Sequence, residues 1–326
     1  MKDGIEQADI SEINGIRIGN ATDLKAATGC TVIICDDGAT AGVDVRGGSP
    51  GTRETDALDP ANLRQKIHAV LLAGGSAFGL DAAGGVMRYI EELGVGRDVG
   101  VAKVPIVCGA ILYDLECGDC KVRPDAKMGY EACLDSESGV FEQGSVGAGT
   151  GATVGKTKGY DFAMKGGLGS ACLRVGELIV GAVMAVNCVG DVYDASSGRF
   201  IAGMLTDDKM VVDSSESEIA ANYRIEKDFF SGNTIIGVVV TNANLNKSQA
   251  NKLASVSHDG IARAVRPSHS IYDGDTIFTM AVGGISANQD AVGLLAARAV
   301  EQAIVNAVRN AESLCGFPAY GDFQQD

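Results

Sequence analysis

Histidine is scarce in this chain: His68, His258 and His269 are the only three in 326 residues. No two stand four apart, which excludes a helical His-x-x-x-His zinc pair. Basic residues are in deficit as well, with 27 Lys and Arg against 42 Asp and Glu, so the formal charge is −15 and the sequence pI is about 4.6. A surface that acidic repels phosphate backbones, and no local basic patch offsets it, which argues against a nucleic-acid partner. No stretch of 18 apolar residues is free of charge, so no segment reads as a membrane span. The opening MKDGIEQADI has no apolar core behind a basic start, which predicts no secretory signal.

Tryptophan is absent and proline occurs only six times, whereas glycine occurs 44 times. That is nearly twice the average usage of roughly 7%. Such glycines serve tight turns or close backbone approach rather than disorder. Hydrophobic residues at 46% and charged residues at 21% describe an ordinary globular protein. The length allows one large or two ordinary domains. Nine cysteines, an odd number, lie in strand-like text such as Ile34-Cys35 and Val107-Cys108. Buried, reduced thiols in a cytoplasmic protein account for them.

Periodicity predicts alternating strands and helices. Residues 31–35 and 41–46 read as paired strands across an Asp36-Asp37-Gly38 turn. Residues 67–73 read as a buried strand leading through Gly74-Gly75 into a helix over 76–93, with Ser76 as its N-cap. Residues 105–115 are strand-like, and a glycine-rich stretch runs from 144 to 169. Residues 171–189 predict two strands joined near Gly176-Glu177, and 234–241 a fully buried strand. The acidic segment 205–231 is the best linker candidate. Helices over 246–264 and 288–312 alternate with a strand over 275–282, so two helices can cover one face of a sheet. The class is α/β.

Several motifs tempt. The run Thr150 to Thr157 misses a phosphate loop by one residue, because Thr150 stands where glycine is required and a turn follows Lys156. A glycine-rich loop approaching another backbone explains it better, although a non-enzymatic nucleotide-binding module stays open as a contrasting reading. Gly74 to Gly79 misses a nucleophile elbow, since Phe78 replaces a glycine. Cys117-Gly118-Asp119-Cys120 sits at a turn rather than at the start of a helix, which disfavours thioredoxin-like chemistry. Asp273-Gly274-Asp275 sets two carboxylates on one side of the chain before a strand, where a turn with Asx hydrogen bonds is the ordinary reading.

Asn233-Thr234 stands where a polar turn breaks into a buried strand. Commonly that is only a strand start. If the bond between them is cut, Thr234 acquires an α-amine beside its hydroxyl. An amine with a pKa of about 7.7–8.0 can act as general base without any histidine.

Six segments in order, LAGGSAFGLDAA (72–83), ILYD (111–114), GAGTGATVGK (147–156), AVNCVGDV (185–192), GNTIIGVVVTNA (232–243) and HSIYDGDTIF (269–278), carry a resemblance. The chain resembles the self-processing DmpA/NylC peptidase family, which holds D-aminopeptidases, β-peptidyl aminopeptidases and nylon-oligomer endo-hydrolases. The resemblance spans nearly the whole chain. It implies one domain over 1–326 with a four-layer αββα sandwich, as in the related ornithine acetyltransferases and similar to N-terminal-nucleophile hydrolases. It implies autocleavage between Asn233 and Thr234 into fragments 1–233 and 234–326, with Thr234 as nucleophile.

By the same resemblance, Asn187 helps form the oxyanion hole, Lys156 stands near the nucleophile, Asp273 and Asp275 position the Thr234 amine and hydroxyl, and Tyr113 lines the site toward substrate. No metal or cofactor is implied. Aminopeptidase relatives typically have serine as nucleophile and Ser and Glu at the positions of Asp273 and Asp275. Here Asn-Thr and Asp-Gly-Asp-Thr look like the nylon-oligomer hydrolases, which points to linear 6-aminohexanoate amides. An aminopeptidase acting on short peptides and an acyltransferase of related fold are the alternatives. The family further suggests a homo-oligomer of processed αβ units.

Overall fold

Strands that are apolar along most of their length must be covered on both faces, and this chain has several. The computed structural model describes residues 4–210, 212–224 and 232–323. The longer strands are β1 (Arg17–Asp23), β2 (Thr28–Val45), β3 (Lys66–Ala73), β4 (Val107–Ile111), β5 (Gly167–Val175), β6 (Leu178–Asn187), β7 (Thr234–Ala243) and β8 (Thr276–Ile285). The helices are α1 (Ala82–Glu92), α2 (Ala126–Asp135), α3 (Ser215–Ala221), α4 (Lys247–Ala264) and α5 (Gln289–Arg309).

One hydrogen-bonded path of strands runs from the short edge strand Glu6–Gln7 through β5, β6, β7, β8, β2, β3 and β4 to the short Thr52–Arg53, with β1 paired to β2. The β7/β8 and β3/β4 pairs are parallel and the others antiparallel. β2 divides the path. Its first half, Thr28–Ile34, pairs with β1 and β3, and its second half, Thr40–Val45, pairs with β8.

Side-chain alternation then creates three cores and four layers. Val180, Ala182, Met184 and Val239 face α4 and α5. Val183, Ala185, Ile236, Val238, Phe278 and Met280 face Ile33, Val70 and Leu72 across the interior between the two halves of the sheet. Val32, Ile34, Ala69 and Leu71 face α1 and α2. The order is helix, sheet, sheet, helix, as expected.

α1 and α2 approach so closely that a Cβ at Gly85 would lie 1.7 Å from the Ala126 carbonyl oxygen. α4 opens with a reciprocal cap between Asn246 and Gln249. α5 is apolar and long enough to span a membrane by composition alone, but its apolar residues are packed against β5, β6 and α4.

Three local expectations need correction. Asp36-Asp37-Gly38 is no hairpin turn: β2 runs straight through it, and the pairing register shifts between Ile34 and Ala39. An irregularity in a strand and a turn call for the same residues, and here the former lets one strand serve both halves of the sheet. Ser76 is no N-cap. It lies at φ +54° as the first residue of a 3-10 turn, Ser76–Asp81, and α1 begins only at Ala82. The amide of Gly75 is taken by the Asp114 carboxylate at 2.7 Å, so a neighbouring loop does the capping. Finally, the supposed linker 205–231 contains α3, anchored where buried Ser215 donates to Asp191. Residues 225–231 of that segment lie outside the described residues.

The joint at Gly176-Glu177 is as predicted, a tight connection between β5 and β6. Of the nine free cysteines seven are buried, whereas Cys120 and Cys315 are exposed.

Candidate active site

β6 and β7 run antiparallel, and their register sets Asn187, the last residue of β6, opposite Thr234, the first of β7. Directly opposed residues present their side chains on one face. β8 runs parallel to β7, and the turn before it brings Asp273 beside Asn233. Asn187, Thr234, Asp273 and Asp275 therefore converge at one end of the sheet, and all four are buried.

Lys156 arrives from the glycine-rich loop. Amides of Gly155 and Lys156 bind the carbonyls of Gly190 and Val189, just beyond Asn187. Gly155 has φ +73°, and a Cβ there would meet the Gly203–Met204 backbone at 1.9 Å. The loop is thus pressed against other backbone, as expected of a glycine-rich loop. It turns after Lys156 rather than entering an α-helix.

The fully buried Lys156 ammonium donates to Asn187 twice, to its backbone carbonyl at 3.1 Å and to its side-chain Oδ1 at 3.0 Å. The Thr153 amide also donates to that Oδ1, at 2.9 Å. These bonds fix which way the carboxamide faces. Its Nδ2 donates to the carbonyls of Tyr113 at 2.8 Å and Gly232 at 3.0 Å. Both amide hydrogens are occupied in the uncleaved chain.

Thr234 Oγ donates to the carbonyl oxygen of Asn233, the residue before it. The Gly274 amide reaches the same place, donating to Asn233 O at 3.0 Å and to Thr234 Oγ at 3.2 Å. The carbonyl at the expected cleavage point is thus held by a backbone amide with the threonine hydroxyl against it. Asp275 anchors the next peptide, its Oδ1 accepting from the Ile235 amide at 2.7 Å. Asp273 Oδ2 accepts from the Ser270 amide, three residues earlier, at 2.7 Å, a bond that reaches back along the chain rather than the forward Asx turn of the ordinary reading. Its other oxygen is buried without a hydrogen-bond partner among the described residues.

Burial governs the charges. Loss of water lowers the Lys156 pKa to about 7, against the opposing pull of Cys188 and Asp273. Burial and then the neighbouring Asp275 raise Asp273 to about 6. Both groups therefore exchange protons near neutrality, as acid–base work requires. Tyr113 is held high by burial and by Glu116, to which its hydroxyl donates at 3.2 Å. Its ring lines the site beside Gly232, where a Cβ would come within 2.6 Å of the ring carbons.

All seven expected residues thus share one site. Sequence reasoning missed two participants. The Gly274 amide carries no side-chain signal, being backbone. His269 Nδ1 lies 2.7 Å from Asp275 Oδ2, where the carboxylate accepts from Nδ1–H, and its signal is a rare histidine in the same run as the acidic pair. Among the described residues no group of three or more His, Cys, Asp or Glu is arranged to hold a metal.

Residues 8–320 match the model of peptidase family S58. The chain is 39% identical to an uncharacterized aminopeptidase of Mycobacterium leprae, over 95% of this chain and 92% of that one. It is 30% identical to a 6-aminohexanoate-oligomer endohydrolase of Kocuria sp., over 90% and 84%. In structure it resembles the L-aminopeptidase D-Ala-esterase/amidase of Ochrobactrum anthropi, a variant of the Ntn-hydrolase fold, with TM-score 0.72, 20% identity, and coverage of 95% and 88%. With a convergent buried site at the end of such a fold, this chain belongs to peptidase family S58 and is a hydrolase of amide bonds.

Proposed function

We propose that the chain is a self-processing N-terminal-threonine hydrolase that cleaves linear amides of the 6-aminohexanoate type. The observation that carries this reading is the threonine hydroxyl lying against the preceding carbonyl, with the Gly274 amide donating to that carbonyl. In the processing step Thr234 Oγ adds to the Asn233 carbonyl carbon, and the Oγ proton passes to a base. Collapse breaks the C–N bond, the amine leaves protonated, and Asn233 is left as an ester on Oγ. Water hydrolyses the ester, giving the Asn233 carboxylate, the free hydroxyl and the new α-amine of Thr234.

Asp273, beside Asn233 with one oxygen unbonded among the described residues, and Lys156, bonded to Asn187 opposite Thr234, are the groups placed to take the proton in the first round, and burial shifts both toward neutrality. In turnover the Thr234 amine takes over as base. Departure of Gly232 then frees one Asn187 amide hydrogen for the substrate oxyanion. Asp275 keeps the first peptide of β7 in place through both reactions.

The substrate reading rests on the Asn-Thr and Asp-Gly-Asp-Thr segments and on the identity with the 6-aminohexanoate-oligomer endohydrolase. Higher identity to the mycobacterial aminopeptidase favours a second reading, release of N-terminal residues from short peptides. Intact-mass analysis of purified protein tests the mechanism: a fragment beginning at Thr234 is expected, and an uncut yet active wild type overturns it. Products from a 6-aminohexanoate oligomer separate the substrates. Internal fragments support the first reading, and stepwise loss of single N-terminal units supports the second.

A further inference from the structure

Two of the three histidines meet behind the acidic pair. His258, on the inner face of α4, packs edge-on to His269 with ring centroids 5.0 Å apart. Its Nε2 lies 3.0 Å from the Asp44 carbonyl, so α4 and β2 together fix the ring against which His269 rests. His269 has φ +57°, a conformation that costs a non-glycine residue free energy and persists only when surroundings impose it. In that conformation both its backbone amide, at 3.2 Å, and its Nδ1, at 2.7 Å, address Asp275 Oδ2. The opposite oxygen of the same carboxylate grips the Ile235 amide.

We propose that His269 is a positioning residue for this hydrolase. It acts through Asp275 on the peptide that follows the nucleophile, and the idea rests on Thr234 being that nucleophile. Nδ1–H of the imidazole pins one carboxylate oxygen so that the other stays aimed at Ile235. Thr234 Oγ is thereby kept between the Asn233 carbonyl and the Gly274 amide. Without the ring, Oδ2 keeps only the longer bond from the His269 amide, so the carboxylate is freer to rotate about its Cβ–Cγ bond and the first peptide of β7 moves with it. The His269 ring touches neither Thr234 nor the Asn233 carbonyl among the contacts described, so its side chain acts on them through Asp275. Near-attack geometry is sensitive, and a displacement on the order of 1 Å costs about 10²-fold in rate.

The test compares three variants of the full chain for conversion to two fragments, and then for kcat and KM on an amide oligomer. His269→Asn sets an amide N–H where Nδ1–H stood, whereas His269→Gln sets it further along, near the former Nε2. His269→Ala removes it. Processing by the Ala and Gln variants is expected to slow by about 10²-fold, with the Asn variant restoring most of the rate. In processed enzyme the loss should fall on kcat with KM unchanged. Melting of each substitution in the Thr234→Ala background separates folding defects from positioning. If the Ala variant does not fold, the Asn and Gln comparison still decides. Equal rates for Asn and Gln, or an Ala variant that processes and turns over like wild type, overturn the role of His269 alone. A wild type that neither processes nor hydrolyses amides overturns the N-terminal-threonine reading together with it.

Discussion

Replacing Thr234 by alanine removes the hydroxyl that rests against the Asn233 carbonyl. The Thr234→Ala protein is expected to stay a single chain on denaturing gels and to hydrolyse no amide substrate. Charge at the site predicts a second outcome. Burial lowers Lys156 to about 7, so between about 7 and 10.4 the folded chain holds fewer protons than the unfolded one. The stability contributed by this residue therefore rises with pH across that window and is least below it. Asp273, raised to about 6, acts oppositely: the folded state holds more protons between about 4 and 6, so its contribution falls as pH climbs through that range. Lys156→Met should flatten the alkaline rise without abolishing it, because buried Lys165, lowered to about 8, has the same sign. Asp273→Asn should remove part of the acid-side fall. Urea unfolding of the Thr234→Ala chain from pH 4 to 9 measures both, with a limit of about 1.4 kcal/mol per pH unit for each group.

At this scale the side chains were readable and their partners were not. Thr234 betrayed itself as the first residue of a buried strand after a polar turn. That the Gly274 amide shares its carbonyl is a backbone contact made by a turn forty residues away, and no residue type announces it.

Strands carry the next set of consequences. Ile236 on β7 is fully buried in the interior between the two halves of the sheet. Ile236→Ala in the Thr234→Ala chain should cost about 2–5 kcal/mol in urea unfolding, the range for deleting a large aliphatic group from a packed core. Gly85→Ala should also destabilise, because the new methyl would have to displace the Ala126 carbonyl of the facing helix. Long apolar strands and the helices α4 and α5 were legible from pattern alone, since burial imposes their periodicity. The continuity of β2 was not. Asp-Asp-Gly is consistent with a turn or with a strand irregularity, and only the choice of partners, β3 on one side and β8 on the other, decides between them. The bond from the Gly75 amide to Asp114 has no local signature for the same reason, the acceptor being supplied from another segment.

Across the whole molecule, the fragment 234–326 would hold β7 and β8 at the middle of the sheet. β7 is bonded to β6 and β8 to β2, and both of these outer partners belong to 1–233. Withdrawing the fragment would expose two central strands and the apolar faces of α4 and α5, so processing should leave the two pieces together. Size-exclusion chromatography should show them in one peak, separating only in denaturant. Two independent peaks in native buffer would contradict the interleaved arrangement.

Local sequence set the chemistry available: few histidines, a threonine at a strand start after a polar turn, a lysine at the end of a glycine-rich loop, and two carboxylates two residues apart. It also determined the α/β alternation, because hydrophobic period is a local property. Tertiary structure decided the rest. The order of strands sets Asn187 opposite Thr234, the unbroken run of β2 joins the two halves of the sheet, and packing of α4 brings His258 against His269 behind Asp275. Contacts between residues far apart in the chain depend on which strand chooses which neighbour, and that choice is made by the burial of whole faces rather than by any residue alone.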